Sequence, residues 1–173
     1  MGLGARRCHH GSMEPLIRAA TDADAGELAW LSLTVWNEAY GDMIDPAALR
    51  ARHDEPVDSR AARWAARIAS EKVLVAAEGS ALVGFARVAV TPKTELLSLY
   101  TRRSHWRSGL GTRLLNESLR GAAAELWVFE GNARALRFYE HHGFRLDGQR
   151  REDPPYGSEV HMTRPRLSLN KMF

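Results

Sequence analysis

Thr94-Glu-Leu-Leu-Ser-Leu-Tyr-Thr101-Arg-Arg-Ser-His-Trp-Arg107-Ser-Gly109-Leu-Gly111-Thr112 decides how the chain is read. Its first eight residues form an apolar strand candidate. The middle is rich in arginine. Gly109 and Gly111 then open a run in which Leu110, Leu114, Leu115 and Leu119 recur at helical spacing. Strand, glycine-bearing turn and helix start thus follow one another. A helix N-terminus exposes backbone N–H groups and about half a positive charge. Glycine lets that backbone approach a bulky anion without a Cβ in the way. Arg107 stands beside the turn, with Arg102, Arg103 and His105 ahead of it. Such a device holds phosphate. It is neither a Walker loop, which needs Gly-Lys-Ser/Thr, nor a dinucleotide loop, which needs a third glycine.

Downstream, Leu126 to Phe129 reads as a buried strand. Asn132 then caps a helix carrying Ala135, Leu136, Phe138 and Tyr139, which Gly143 stops. Phe144 to Arg151 and Glu159 to Arg164 are two further strands around Asp153-Pro-Pro-Tyr-Gly157. Upstream, Leu16 to Ala19 is a short apolar segment. Thr21-Asp-Ala-Asp24 caps a helix that Ala25, Leu28, Leu31 and Val35 carry to about Asn37. Ala47 to Arg52 and Ser59 to Ser70 are also helical in pattern, the second with Trp64 and Ile68 on one face. Val73 to Glu78 and Ala81 to Val90 flank a hairpin signal, Gly79-Ser80. The order is strand, helices, three strands, helix, strand, helix, two strands. It predicts a mixed α/β sheet with helices on both faces.

The chain has 173 residues, enough for one domain with a full core. Hydrophobic residues make up 45% and charged residues 26%, an ordinary globular balance. No apolar run suggests a membrane span or a signal peptide. Residues 1–14 are expected to be a disordered leader or an expression scar, 15–165 the folded domain and 166–173 a C-terminal tail. One cysteine, Cys8, excludes an internal disulfide and a cysteine-cluster metal site. A reducing, cytoplasmic setting is therefore expected. The formal charge is +3, and its positive part is nearly all arginine, whose planar fork suits phosphate. His141 and His142 are adjacent on a helix, point apart and cannot chelate one ion together. No metal is expected.

The turn segment resembles the acetyl-CoA-binding motif of the GNAT N-acetyltransferase superfamily, commonly written Gln/Arg-x-x-Gly-x-Gly/Ala after a strand ending Leu-Tyr-Val. Here Leu99-Tyr-Thr101 matches the strand end, and Gly109 and Gly111 match the glycines. Trp106 occupies the Gln/Arg place, a departure. A second signature follows in order in Leu126-Trp-Val-Phe-Glu-Gly-Asn132-Ala-Arg-Ala135-Leu-Arg-Phe138-Tyr139-Glu-His-His-Gly143-Phe144. It resembles the family's Asn opening a helix, Ala three residues on, Phe-Tyr, then Gly-Phe. The resemblance spans about Leu16 to Arg164 and is strongest from Glu95 to Phe144.

That resemblance implies a single-domain GNAT-like fold, its mostly antiparallel mixed sheet splayed at a CoA-binding cleft. The pantetheine arm of acetyl-CoA should lie along the backbone of Leu99, Tyr100 and Thr101. The pyrophosphate should sit on Arg107, Ser108, Gly109, Leu110, Gly111 and Thr112. Asn132 is expected on the pantetheine side, where its bland alternative is a plain N-cap. Tyr139 is expected near the thioester sulfur, where its alternative is a core aromatic.

The implied reaction is direct acetyl transfer to a primary amine in a ternary complex. A lysine-like amine of pKa ~10.4 is only about 0.04% neutral at pH 7, a penalty near ~4.6 kcal/mol. A base or a dry, electropositive pocket offsets part of it. Glu95, on the strand feeding the turn, is the candidate base, with an ion-pair role as its alternative. A tyrosinate of pKa near ~10 is a stronger base than a thiolate of pKa ~8.5, so full proton transfer from Tyr139 runs uphill by about 2 kcal/mol. Tyr139 is better read as a hydrogen-bond donor to the leaving sulfur. Trp36, Glu38 and Tyr40, at the end of the first helix, are candidate acceptor contacts that favour a small cationic amine. The acceptor is a small-molecule amine or a peptide or protein amine. No nucleic-acid or membrane partner is expected, and a homodimer is open. Two alternatives stand beside this reading: a CoA-binding regulator without catalysis, and a basic nucleic-acid module built on Arg102, Arg103, Arg107 and Arg113.

Overall fold

The computed structural model describes residues 14–90 and 92–167. Cys8, His9, His10 and the leader up to Met13 lie outside the described residues, as does the tail beyond Leu167. Strand β1 (Leu16–Ala19) is followed by helices α1 (Ala25–Tyr40), α2 (Pro46–His53) and α3 (Val57–Ser70). Strands β2 (Lys72–Glu78), β3 (Ala81–Ala89) and β4 (Glu95–Thr101) come next. Helix α4 (Leu110–Leu119), strand β5 (Ala124–Phe129), helix α5 (Ala133–His141) and strands β6 (Arg145–Asp153) and β7 (Gly157–Arg164) complete the chain. The seven strands form one sheet in the order β1-β2-β3-β4-β5-β7-β6. Every neighbouring pair is antiparallel except β4 and β5. This is the single-domain, mostly antiparallel mixed α/β sheet that the sequence predicts.

Alternation along the strands sends successive side chains to opposite faces. Val75 and Phe85 meet Leu28, Val35 and Trp64, so α1 and α3 cover one face. Their neighbours Ala76 and Ala86 meet Leu110 and Leu114 of α4 on the other. Leu115 and Leu119 of α4 extend that second layer with Tyr139, Leu126, Phe144 and Met162. Gly84 permits the closeness of α4 to the sheet. A Cβ there would lie 2.9 Å from the Tyr100 carbonyl oxygen and 3.2 Å from Leu114 Cδ1.

Helix α1 runs one turn beyond the Asn37 expected from its periodicity. No breaker precedes Gly41, and Trp36 and Tyr40, four residues apart, share a face. They pack with Ile44 and Ala48 in a small cluster of their own. The extra turn carries Ala39 and Tyr40 to the middle of the sheet, where β4 and β5 diverge.

Strands β4 and β5 share one backbone pair, Glu95 with Glu125. The register of β4 against β3 slips immediately afterwards, between Ser98 and Leu96, leaving Leu97 as an extra residue. Such a bulge bends its strand. Beyond it, Leu99, Tyr100 and Thr101 stay paired to Ala86, Phe85 and Gly84 on one side. Among the described residues they have no strand partner on the side of β5. Among the described residues no helix is long and apolar enough to cross a membrane.

The start of α1 is fixed by charge. Arg18 holds Asp24 through two hydrogen bonds of 2.8 Å. Asp24 also accepts from the Thr21 N–H at 2.7 Å and the Thr21 hydroxyl at 3.0 Å. Hydrogen bonding from Arg18, first, and from Thr21 holds the Asp24 carboxyl well below the usual carboxylate range, against the opposing effect of burial. Its folded pKa is depressed, so its stabilisation is complete above the unfolded value of ~3.9 and is lost as pH falls through the lower folded value. Asp24→Asn should therefore cost roughly 1–3 kcal/mol at neutral pH. Urea unfolding should show the gap from wild type narrowing progressively below about pH 4.

Candidate active site

The divergence of β4 and β5 opens a cleft of about 600 Å³. Its floor is the freed edge of β4 from Leu96 to Thr101, and its far wall is Trp127, Val128 and Phe129 of β5. Tyr40 closes it on the α1 side, Phe138 and Tyr139 on the α5 side. The backbone of Leu99 to Thr101 is thus an open strand edge at the base of a concave site. An extended ligand carrying amide groups can add to such an edge as a strand does.

Arg107, Gly109, Gly111 and Thr112 line one end of the cleft. Gly109 is the N-cap of α4 with φ of 87°, and Arg107 has φ of 63°. A non-glycine residue in that left-handed region stores local strain, which collects at ligand-holding turns. The Arg113 N–H reaches the Gly109 carbonyl at 3.1 Å. The donors of Gly111 and Thr112 precede it and belong to the turn that a helix leaves without internal partners. Ser108 and Leu110 are brought to this turn but not to the cleft wall. The Ser108 hydroxyl donates to the His105 carbonyl at 2.7 Å and accepts from the Leu110 N–H at 3.3 Å. The Leu110 side chain is in the core.

Trp106, at the place of the departing residue, lines the cleft and donates its indole N–H to the Thr101 carbonyl at 3.2 Å. The Arg134 guanidinium lies 3.8 Å from the Trp106 ring centroid and also faces the cleft. Helix α5 therefore delivers a guanidinium beside the position where the motif usually carries Gln or Arg. Burial pushes the Arg134 guanidinium down from its ordinary value, opposed by Tyr40 and Tyr139 nearby.

Asn132 is the N-cap of α5, accepting from the Ala135 N–H at 3.0 Å, and it also lines the cleft. Tyr139 is buried yet faces the cleft, and among the described residues its hydroxyl takes no protein hydrogen bond. Burial, with Tyr40 adding and Arg134 opposing, raises the Tyr139 phenol well above its ordinary value. Burial likewise raises Tyr100, whose hydroxyl lies 3.3 Å from that of Tyr40.

Two expected site residues are placed elsewhere. Glu95 is at the closed end of the cleft, in the last register pair that still joins β4 to both neighbours, and is not among the residues that face the cleft. Glu38 is engaged by the loop after β4: Arg102 donates to it at 3.0 Å and the Arg103 N–H at 2.6 Å. It ties α1 to the loop after β4 and is not among the residues lining the cleft. Trp36 stands one step back from the main cleft, in an adjoining recess that Tyr40 shares. Of the basic side chains considered for nucleic acid, Arg102 is paired to Glu38, and Arg113 to Glu14 at 3.4 Å. Among the described residues no group of three or more His, Cys, Asp or Glu is set to hold a metal.

The carboxylate that does face the cleft is Glu159, on β7 opposite Phe129. Arg151 donates to it at 2.6 Å and stacks 4.4 Å from the Trp127 ring centroid. Sequence offers little signal for Glu159. Alternation on β7 puts it opposite to buried Val160, but only the pairing with β5 brings it to the cleft.

Comparison with known proteins agrees with this geometry. A probable N-acetyltransferase of Mycobacterium tuberculosis is 26% identical over 77% of this chain and 81% of its own. The PaiA N-acetyltransferase of Thermoplasma acidophilum, solved in complex with coenzyme A, superposes with a TM-score of 0.73 at 21% identity. The match covers 88% of this chain and 99% of that one. YncA of Salmonella typhimurium, a putative acetyltransferase solved with acetyl-CoA, has a TM-score of 0.65 at 18% identity over 90% and 96% of the two chains. At these identities the structures speak for the fold. The model of the acetyltransferase (GNAT) family matches residues 16–144, which hold the turn, the open β4 edge and Tyr139, and the chain belongs to that family of acyltransferases.

Proposed function

We propose that the protein transfers the acetyl group of acetyl-CoA directly to a primary amine, with both substrates bound together. The observation that carries this reading is the open edge of β4 facing Tyr139 across a cleft whose end is the α4 turn. The residues present fit the co-substrate. Leu99 to Thr101 offer backbone groups to pantetheine amides, and the N–H donors of Gly111 and Thr112 with Arg107 offer charge and hydrogen bonds to the pyrophosphate. Where Gly109 turns, a Cβ would meet nothing within 4 Å, so the glycine serves conformation and leaves the approach clear. When bound, acetyl-CoA supplies an acyl group activated as a thioester.

The chain's own groups then divide the work. The amine nitrogen forms the new N–C bond as the C–S bond breaks, and one amine proton must leave. Glu159 is the carboxylate lining the cleft, so it is the base in this reading, directly or through water. Its pairing with Arg151 fixes its direction. Tyr139 donates a hydrogen bond to the departing sulfur. Because burial raises its phenol, proton loss is harder than the ordinary ~2 kcal/mol gap between phenol and thiol implies. Tyr139 therefore stabilises the thiolate and completes no early proton transfer. A backbone N–H near the β4 bulge polarises the thioester oxygen. No side-chain nucleophile is required. A reducing cytoplasmic setting is part of the same reading.

Thiol release from acetyl-CoA across a panel of amines tests the assignment. Tyr139→Phe should lower kcat by about 10- to 100-fold, the scale of a lost charge-stabilising donor, with CoA affinity little changed. CoA binding with no release on any amine would instead favour a regulator of this fold.

The base is separable by a pair of variants. Glu159→Gln should lower kcat/KM by about 100-fold or more. Glu95→Gln should stay within a few-fold of wild type. The opposite ranking of the two kcat/KM values would return the role to Glu95.

A further inference from the structure

A recess of about 100 Å³ opens off the cleft on the α1 side, sharing Tyr40, Tyr100, Phe129 and Glu159 with it. Trp36 and Tyr156 form the rest of an aromatic wall, their centroids 5.1 Å apart. Such a wall with carboxylates nearby suggests a cation site, but a cation already stands in it. The Arg52 guanidinium lies 4.3 Å from the Trp36 ring centroid. The carboxylate expected to recognise a cationic amine, Glu38, is bonded to Arg102 instead.

Arg52 differs from Arg60, Arg87 and Arg102, although Arg67, over the Trp64 ring, is likewise without an ion pair among the described residues. Arg60 pairs with Glu55, Arg87 with Glu71 and Arg102 with Glu38. Among the described residues Arg52 makes no side-chain hydrogen bond or ion pair, and its Nε is buried without a partner. Its position is held from behind. The buried Arg60 donates to the Arg52 carbonyl at 2.8 Å, fixing the last turn of α2. A guanidinium stacked by its face on an aromatic ring keeps its in-plane donors free, and that fork matches the two oxygens of a carboxylate.

We infer that the acceptor is a free amino acid, whose carboxylate binds Arg52 and whose amine points along the shared wall into the cleft. This rests on the reading of the cleft as an acetyl-transfer site. The recess holds about three waters' worth of volume, the size of a carboxylate and its adjoining carbon. A phosphate dianion is a poorer occupant, because Asp153 and Glu159 also line the recess. For an amino acid the same carboxylates are favourable. The anion meets Arg52, and the ammonium meets Glu159, the group that takes its proton. The aromatic wall leaves apolar surface for a side chain.

The test uses the full chain, acetyl-CoA and three matched sets: the common amino acids, their carboxamides, and their decarboxylated amines such as tyramine for tyrosine. At least one amino acid should be acetylated with kcat/KM about 100-fold above its amide and its decarboxylated counterpart, the scale of a charge-assisted bond lost. The amide is the sharper control, because its amine is less basic and more often neutral. Arg52→Met should raise KM for that amino acid by about tenfold or more, change kcat less, and leave CoA affinity by calorimetry intact. Arg52→Lys, which keeps charge without the fork, should recover part of the loss and guards against misfolding of the first variant. Equal or better use of the amides and decarboxylated amines overturns the inference, as does CoA binding with no amino acid acetylated. In the first case the acetyl-transfer reading survives. Failure to bind CoA removes that reading itself.

Discussion

Strands β4 and β5 run parallel and are joined by a single backbone pair, Glu95 with Glu125, before the bulge at Leu97 turns β4 away. Sheets ordinarily satisfy every backbone group in their interior. Here the interior of a seven-stranded sheet contains an unpaired edge, and the rest of the molecule is arranged around holding it open. Helices α1 and α3 brace β2 and β3 from one face, and α4 braces them from the other. On the far side α5 and β7 hold β5. The two halves can therefore diverge without exposing the core. The groups left open on β4 face a concave site whose end is a helix N-terminus, so one bend sets an open strand edge beside the α4 turn.

Burial sets the chemistry of what lines this opening. Tyr100 and Tyr139 are pushed up by desolvation and stay protonated, while Arg134 is pushed down by the same cause. A buried phenol held neutral is a donor waiting for developing negative charge. It is a poor acid, which fits stabilisation of a thiolate better than its outright protonation. Arg134 over Trp106 puts a second donor group close by. The same desolvation that costs stability makes these dipoles effective once water is excluded.

Local signals were sufficient wherever the chemistry is carried by backbone and neighbours in sequence. The glycines of the α4 turn and the Asn132 cap are legible from local spacing, whereas Tyr139 seven residues later is singled out only by the resemblance to the family. The hairpin at Gly79-Ser80 and the succession of elements along the chain follow from the same kind of punctuation. What could not be read depends on side chains meeting across the sheet. Glu38 looks like a free helix-end carboxylate until Arg102, sixty-four residues away, is found holding it. Glu95 looks poised on the strand feeding the turn, but the divergence begins just past it. Glu159 reaches the cleft only through the β5–β7 register. Arg52 belongs to a short helix with no motif, and among the described residues its side chain has no hydrogen-bond partner.

The most direct measurement is backbone hydrogen exchange, followed by mass spectrometry, with and without saturating CoA. The account predicts slowed exchange confined to two segments, the β4 edge over 97–101 and the α4 turn over 109–112. Strand β6 and helix α3 should be unchanged. Protection elsewhere, or none in these two segments, would contradict it.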